Sequence, residues 1–147
     1  MNRDEIFSHI DHTLLRADAT WPEIEQLCAE AERYGAASVC IPPSFVARAR
    51  QHYPQLKICT VIGFPLGANT SEIKALEAKK AVEDGAEVII FSAVDYEANA
   101  DAINDAVGKG VKVVVIDSDV DSDAVSCRIG TDNYDAGCKA AEAAMKD

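Results

Sequence analysis

Residues 83–95, EDGAEVIIFSAVD, read as the end of a helix, a turn at Gly85 and a buried strand. Ile89, Ile90 and Phe91 run together without a polar alternate, the pattern of a parallel strand covered on both faces. The same kind of run recurs on either side. Residues 9–15, 36–41, 56–63, 111–117 and 124–130 are also short, apolar and β-rich, which makes six predicted strands. Amphipathic helices lie between them. Ile24, Leu27, Cys28 and Ala31 fall at i, i+3, i+4 and i+7, behind a Thr20–Glu23 pair at capping-box spacing. A second helix carries Val46, Ala49 and Tyr53 after Ser44. A third begins near Asn69, with Glu72 three residues on, and ends at Gly85. A fourth runs through Tyr96, Ala100, Ile103 and Val107 to stop at Gly108; a last one shows Tyr134, Cys138, Ala141 and Met145, with Thr131 and Asp132 at its cap. Strand and helix alternating at this spacing predict right-handed crossovers and a parallel α/β sheet.

The 147 residues suit a single α/β domain, 1–147, large enough to bury its own core. No stretch approaches the roughly 20 apolar residues of a membrane span. The start, MNRDEIFSHIDH, is too acidic for a secretory leader, so a cytoplasmic location is expected. Fourteen basic against twenty-five acidic residues leave a formal net charge of −11, which repels phosphate backbones and argues against nucleic acid as a partner. Membranes are likewise not expected as partners.

Five cysteines, Cys28, Cys40, Cys59, Cys127 and Cys138, are odd in number and form no C-x-x-C pair. They read as reduced thiols rather than a disulfide framework or a zinc motif. Other metal readings fail as well. His9 and His12 flank Asp11, but strand alternation sends the two rings to opposite faces. DSDVDSD, residues 117–123, begins like a calcium loop, yet Ser122 and Arg128 stand where a glycine and a glutamate are required. Gly63 and Gly67 belong to a strand-end loop without the lysine and hydroxyl of a phosphate cradle. No metal and no cofactor are therefore expected. Cys40 reads as a buried apolar thiol.

IDHTLLRADAT, ASVCIPPSFV and KICTVIGFPLGANTSEIKALEAKKAVEDGA together resemble the first three βα units of deoxyribose-phosphate aldolase, a TIM barrel that works through a Schiff base. The resemblance spans residues 1–86, most clearly from residue 8. It implies substrate at the C-terminal strand ends, with Asp11 and Thr13 as the polar pair of the first strand and Cys40 beside the pocket. It also implies a proton-transfer aspartate on the fourth strand, where this chain has Ile89, and an imine-forming lysine with a helper lysine on later strands, for which no matching segment is present. Lys112, at the start of its strand, falls at the opposite end of the sheet.

From about residue 87 the sequence resembles instead a type I periplasmic sugar-binding protein or the effector domain of a related repressor. GAEVIIFSAVD, INDAVGKGVKVVVIDSDVDSD and IGTDNYDAG carry the likeness. It implies a ligand hydroxyl held at Asp117, although Ser118 replaces the arginine that often follows, and a second lobe for which no segment is seen. The two styles meet between Val82 and Val88. The expected fold is an open, mostly parallel sheet with helices on both faces, flavodoxin-like or similar to one binding-protein lobe, with a partial TIM-barrel half as the alternative. In that arrangement the 9–15 strand is supernumerary. It adds to an edge or pairs with a second copy, and the C-terminal helix folds back on the sheet or docks on another copy, so a homodimer through either element is expected.

Such a join points to an engineered chimeric scaffold without evolved activity and not an enzyme. Weak capture of a sugar or sugar phosphate at Asp11, Thr13, Cys40 and Asp117 is the second reading, and residual aldolase activity the third.

Overall fold

The computed structural model describes residues 2–145. The chain divides into two compact units, Met1–Asp84 and Gly85–Asp147. The first unit contains α1 (Arg3–Phe7), β1 (Asp11–Thr13), α2 (Trp21–Tyr34), β2 (Ser38–Cys40), α3 (Pro43–His52), β3 (Ile58–Cys59) and α4 (Ser71–Glu83). Its strands form a parallel sheet in the order β1-β2-β3, with Asp11 opposite Ser38, Thr13 opposite Cys40, and Cys40 opposite Cys59.

Helix α2 starts where the sequence places it. The Glu23 carboxylate accepts from the backbone N–H of Thr20 at 2.8 Å and from its hydroxyl at 2.7 Å, and Pro22 occupies the first turn, where its missing N–H costs nothing. The helix ends at Gly35, whose φ of 67° is left-handed. The stripe Ile24, Leu27, Cys28 and Ala31 packs with Val39, Ile41, Ala49 and Leu56 into one core. Ile24, Val39 and Ile41 are fully buried, and each contributes about 1.5–3 kcal/mol of transfer free energy. Val39 faces the helices, so Ser38 and Cys40, its neighbours in the strand, face the other way.

The second unit contains β4 (Val88–Phe91), α5 (Ala100–Gly108), β5 (Lys112–Ile116), β6 (Cys127–Ile129) and α6 (Asn133–Ala144). Its parallel sheet has the order β4-β5-β6. Val113, Val115, Ala93, Ile103 and Val120 form its core, with Ile89, Phe91, Ala106 and Val107 packed around them.

The α/β class and the open, parallel character of the sheets are as expected. Among the described residues, however, the six strands make two sheets of three rather than one of six. The strand at 9–15 takes the edge placement expected for it: β1 lies at one edge of its sheet, bonded to β2 along its length. It is also shorter than predicted, because Asn2 and Glu5 close a capping box that starts α1 and His9 falls in the turn after it. In β4, Ile89 and Phe91 face the core while Val88 and Ile90 are exposed, so this continuous apolar run is covered on one face only. The fourth helix begins at Ala100 rather than Tyr96, since Asp95 turns the chain by accepting the N–H groups of Glu97 and Ala98 at 3.0 and 2.9 Å. Helix α6 is capped by Asp132, which accepts from the Asp135 N–H at 2.9 Å. It does not fold its apolar stripe onto a sheet: none of its residues is buried, and Tyr134 is exposed. No helix among the described residues is long and apolar enough to cross a membrane.

Candidate functional site

The sheet β1-β2-β3 carries its chemistry on the face away from α2. Period-two alternation and the parallel register place Asp11, Thr13, Ser38, Cys40 and Cys59 together there. Ser38 donates from its hydroxyl to Asp11 Oδ1 at 2.7 Å. Thr13 donates to the Asp11 main-chain carbonyl at 2.8 Å, and just past β3 Thr60 donates to the Ile41 carbonyl at 2.9 Å. One carboxylate oxygen of Asp11 and the two sulfurs of Cys40 and Cys59 all lie within 4.8 Å of one another. Cys40 is buried, Cys59 half-buried and Asp11 exposed. Burial pushes the Cys40 thiol up to about 12, with Cys59 and Asp11 adding to the rise. Burial also raises the Cys59 thiol, opposed by its hydrogen bond with Cys40.

His12 points to the other face, where its Nε2 meets Glu30 Oε2 at 3.0 Å, while His9 Nδ1 lies 3.0 Å from the Ser8 hydroxyl. The two rings share no site. Beyond the strand ends a cleft of about 410 Å³ is bordered by Leu15, Arg16, Pro42, Phe45, Gly63 and Glu77 among others. Two of its charged groups are already engaged: Arg16 is paired with Asp18 and Glu23, and Glu77 accepts the Gly63 N–H at 2.7 Å. Gly63 and Gly67 both adopt left-handed backbone, which closes the loop through the Gly67 N–H to Gly63 carbonyl bond. A second hollow, of about 520 Å³, lies at the opposite end of the strands. There Arg3 stacks on Phe7 and Tyr34, with Asp4, Glu32 and Arg33 also at its border.

In the second unit Asp117 stands at the end of β5 with a left-handed φ of 66°, and its N–H donates to the Ile129 carbonyl at 2.9 Å. The acidic turn that follows is tied down from within. Arg128 donates from Nε to Asp119 Oδ1 at 2.8 Å and from a terminal nitrogen to the Ser122 carbonyl, and Ser122 donates to Asn104 at 2.7 Å.

Sequence reasoning singled out Asp11, Thr13 and Cys40 but missed Ser38 and Cys59. The signal was available, since Ser38 is two residues before Cys40 and therefore on its face, and KICT places Cys59 on a neighbouring strand. What the linear text lacks is the register that sets Cys59 directly opposite Cys40.

Parallel strands with intervening helices and a polar sheet face define an α/β protein. Comparison with known proteins agrees. A deoxyribose-phosphate aldolase from Geobacillus sp. is 47% identical over 114 residues, which is 76% of this chain and 51% of that protein. One from Clostridium botulinum is 37% identical across 100% of this chain and 68% of its own length, and one from Lactococcus lactis is 53% identical over 58% of this chain and 40% of its own. Among solved structures, the deoxyribose-phosphate aldolase from Aeropyrum pernix superposes with a TM-score of 0.63 at 28% identity, over 78% of this chain and 53% of that one. The model of the periplasmic binding protein domain family matches residues 44–147. The chain belongs to the deoxyribose-phosphate aldolase family and, over residues 44–147, to the periplasmic binding protein domain family as well. It spans about half the length of the Geobacillus relative.

These relatives overturn one expectation. A chain without evolved activity, built only as a scaffold, does not account for curated aldolases at up to 53% identity, one of them aligned with the whole chain at 37%. The missing fourth-strand aspartate and later lysines alone suggest loss of function. That inference weighs three motif positions above the relationship carried by the rest of the sequence.

Proposed function

We propose that this chain serves deoxyribose-phosphate aldolase chemistry by seating a deoxysugar aldehyde or its phosphate on the polar face of the Met1–Asp84 unit. The observation that carries this reading is the Asp11 carboxylate, held in place by the Ser38 hydroxyl at 2.7 Å in a chain related to aldolases. An oriented carboxylate accepts hydrogen bonds from sugar hydroxyls, and charge-assisted bonds of this kind are about twice as strong as neutral ones. Thr13, on the same face, adds a hydroxyl.

Imine formation needs an amine desolvated enough to lose its proton near neutral pH. The described lysines offer no such environment. Lys74 donates to the Gly67 carbonyl on an exposed loop, Lys79 and Lys80 pair with Glu83 and Asp84, Lys109 and Lys139 pair with Asp105 and Asp135, and Lys57 and Lys112 are exposed. The reading is therefore substrate seating without carbon–carbon bond cleavage by this chain alone.

Backbone amide spectra recorded during titration with 2-deoxyribose 5-phosphate, and separately with 2-deoxyribose, test it in the presence of a chelator. Saturable shifts at Asp11, Thr13 and Ser38 that Asp11→Ala removes are expected, and the two sugars show whether the phosphate matters. Absence of saturation with either sugar would reject seating. Borohydride reduction with the same sugars should leave the mass of the chain unchanged; a trapped lysine adduct would show that the chain carries its own amine.

A further inference from the structure

We propose that Asp11, Cys40 and Cys59 form a binding site for a single thiophilic divalent cation of the zinc type, with one coordination position left open. The three residues come from three adjacent parallel strands, so the sheet itself fixes their spacing. Their ligand atoms lie within 4.8 Å of one another. A tetrahedral centre with Zn–S bonds of about 2.3 Å separates two thiolates by about 3.8 Å, so side-chain adjustments of about 1 Å or less close the site around an ion.

Donor chemistry points the same way. Two thiolates and a carboxylate are a set suited to zinc and cobalt rather than to calcium or magnesium, which take oxygen ligands. Three protein ligands with a fourth position open is the arrangement of reactive rather than purely structural zinc centres. The Ser38 hydroxyl on Asp11 Oδ1 supplies the kind of outer hydrogen bond that orients a metal-bound carboxylate. Binding replaces two S–H protons by one dication, and both protons are released to solvent. The remaining cysteines offer no equivalent. Cys28 is buried in the helix-facing core, and Cys127 and Cys138 are exposed.

This inference rests on the geometry of the cluster and not on the seating of a sugar, so it is tested without any sugar present. The reduced full-length protein is titrated with Co²⁺ in a thiol-free phosphine reductant, then with Zn²⁺. The expected result is one equivalent of cobalt giving a near-ultraviolet thiolate-to-cobalt band and the visible bands of a four-coordinate ion, all displaced by Zn²⁺. Cys59→Ser should remove about half of the thiolate band, one of two sulfurs being lost. Ser38→Ala should weaken binding by about tenfold or more while leaving the spectrum in place. A Cys127→Ser/Cys138→Ser double variant should bind like the parent. Asp11→Asn changes an exposed side chain, so it keeps the test decisive should a cysteine variant fail to fold; it should keep the thiolate band and lower the affinity. No thiolate band in the parent, or a band that survives Cys59→Ser at full intensity and disappears in the Cys127/Cys138 double variant, would overturn the site.

Discussion

Cys40 and Cys59 stand directly opposite each other in the parallel pair of β2 and β3, on the face away from α2. Residues in register on adjacent strands have no choice about their neighbours. The chemistry of this face therefore follows from strand pairing once the pairing is made, and it can be probed residue by residue.

Thiol reactivity should separate the five cysteines by environment. Thiolate is the reacting species, and burial pushes Cys40 up to about 12 while raising Cys28 and Cys59 as well. At mildly alkaline pH, iodoacetamide should label the exposed Cys127 and Cys138 first, with Cys40 and Cys28 labelled only on unfolding. Peptide mass mapping at successive times checks the order; early labelling of Cys40 would contradict its protected setting.

The same raised thiol makes stability pH-dependent in a defined window. The unfolded chain loses the Cys40 proton near its ordinary value of 9, whereas the folded chain keeps it up to about 12. Protons are thus bound more tightly by the folded state, so the contribution is intact below pH 9 and is lost as pH rises from about 9 toward 12. Urea midpoints measured across this range should fall for the parent and fall less for Cys40→Ala.

Helix α2 offers a clean backbone test. A Cβ added at Gly35 meets no atom within 4 Å, so Gly35→Ala carries only the strain of its φ of 67°. That strain is about 1–2 kcal/mol for an L-residue, partly offset by the lower entropy of the unfolded alanine variant, which leaves a loss of about 1 kcal/mol by urea denaturation. Gly63→Ala should cost more, because the new Cβ meets Lys74 Cδ at 3.0 Å as well as a left-handed backbone.

Much of this was legible in the sequence. The Thr20–Glu23 box, the Ile24–Ala31 stripe and the Asp132 cap are local devices, read from spacings of three and four residues, and each appears where its spacing places it. What the sequence hid is non-local. Val88 and Ile90 read as buried because apolar runs usually are, yet burial depends on whether a second layer covers them, and here they are exposed. In the same way, β1 offers little to a core, since its three residues, Asp11, His12 and Thr13, are all polar. Its hydrogen bonds to β2 show that main-chain pairing, not side-chain burial, places it. For the candidate site, Asp11 and Cys40 could be named from a resemblance and Ser38 from its spacing to Cys40, but only the register sets Cys59 opposite Cys40.

Arg128 provides the last test, in the turn whose acidic spacing resembled a calcium loop. Its guanidinium holds Asp119 at 2.8 Å, but the Asp119 carboxyl lies below its usual range chiefly because it accepts the Val120 N–H, with Arg128 second. In Arg128→Ala the larger cause remains. The Asp119 titration followed by carboxyl ¹³C shifts should therefore move up only part of the way, and it should still lie below an ordinary aspartate. The pair is substantially exposed on both sides, so added salt should shift the parent toward the variant by screening the guanidinium. Because the native carboxyl is the stronger acid, its stabilising contribution is present above the ordinary aspartate value and fades as pH falls through the lowered one. A full return to the ordinary value in Arg128→Ala would mean that the ion pair, rather than the backbone N–H, sets the charge of this turn.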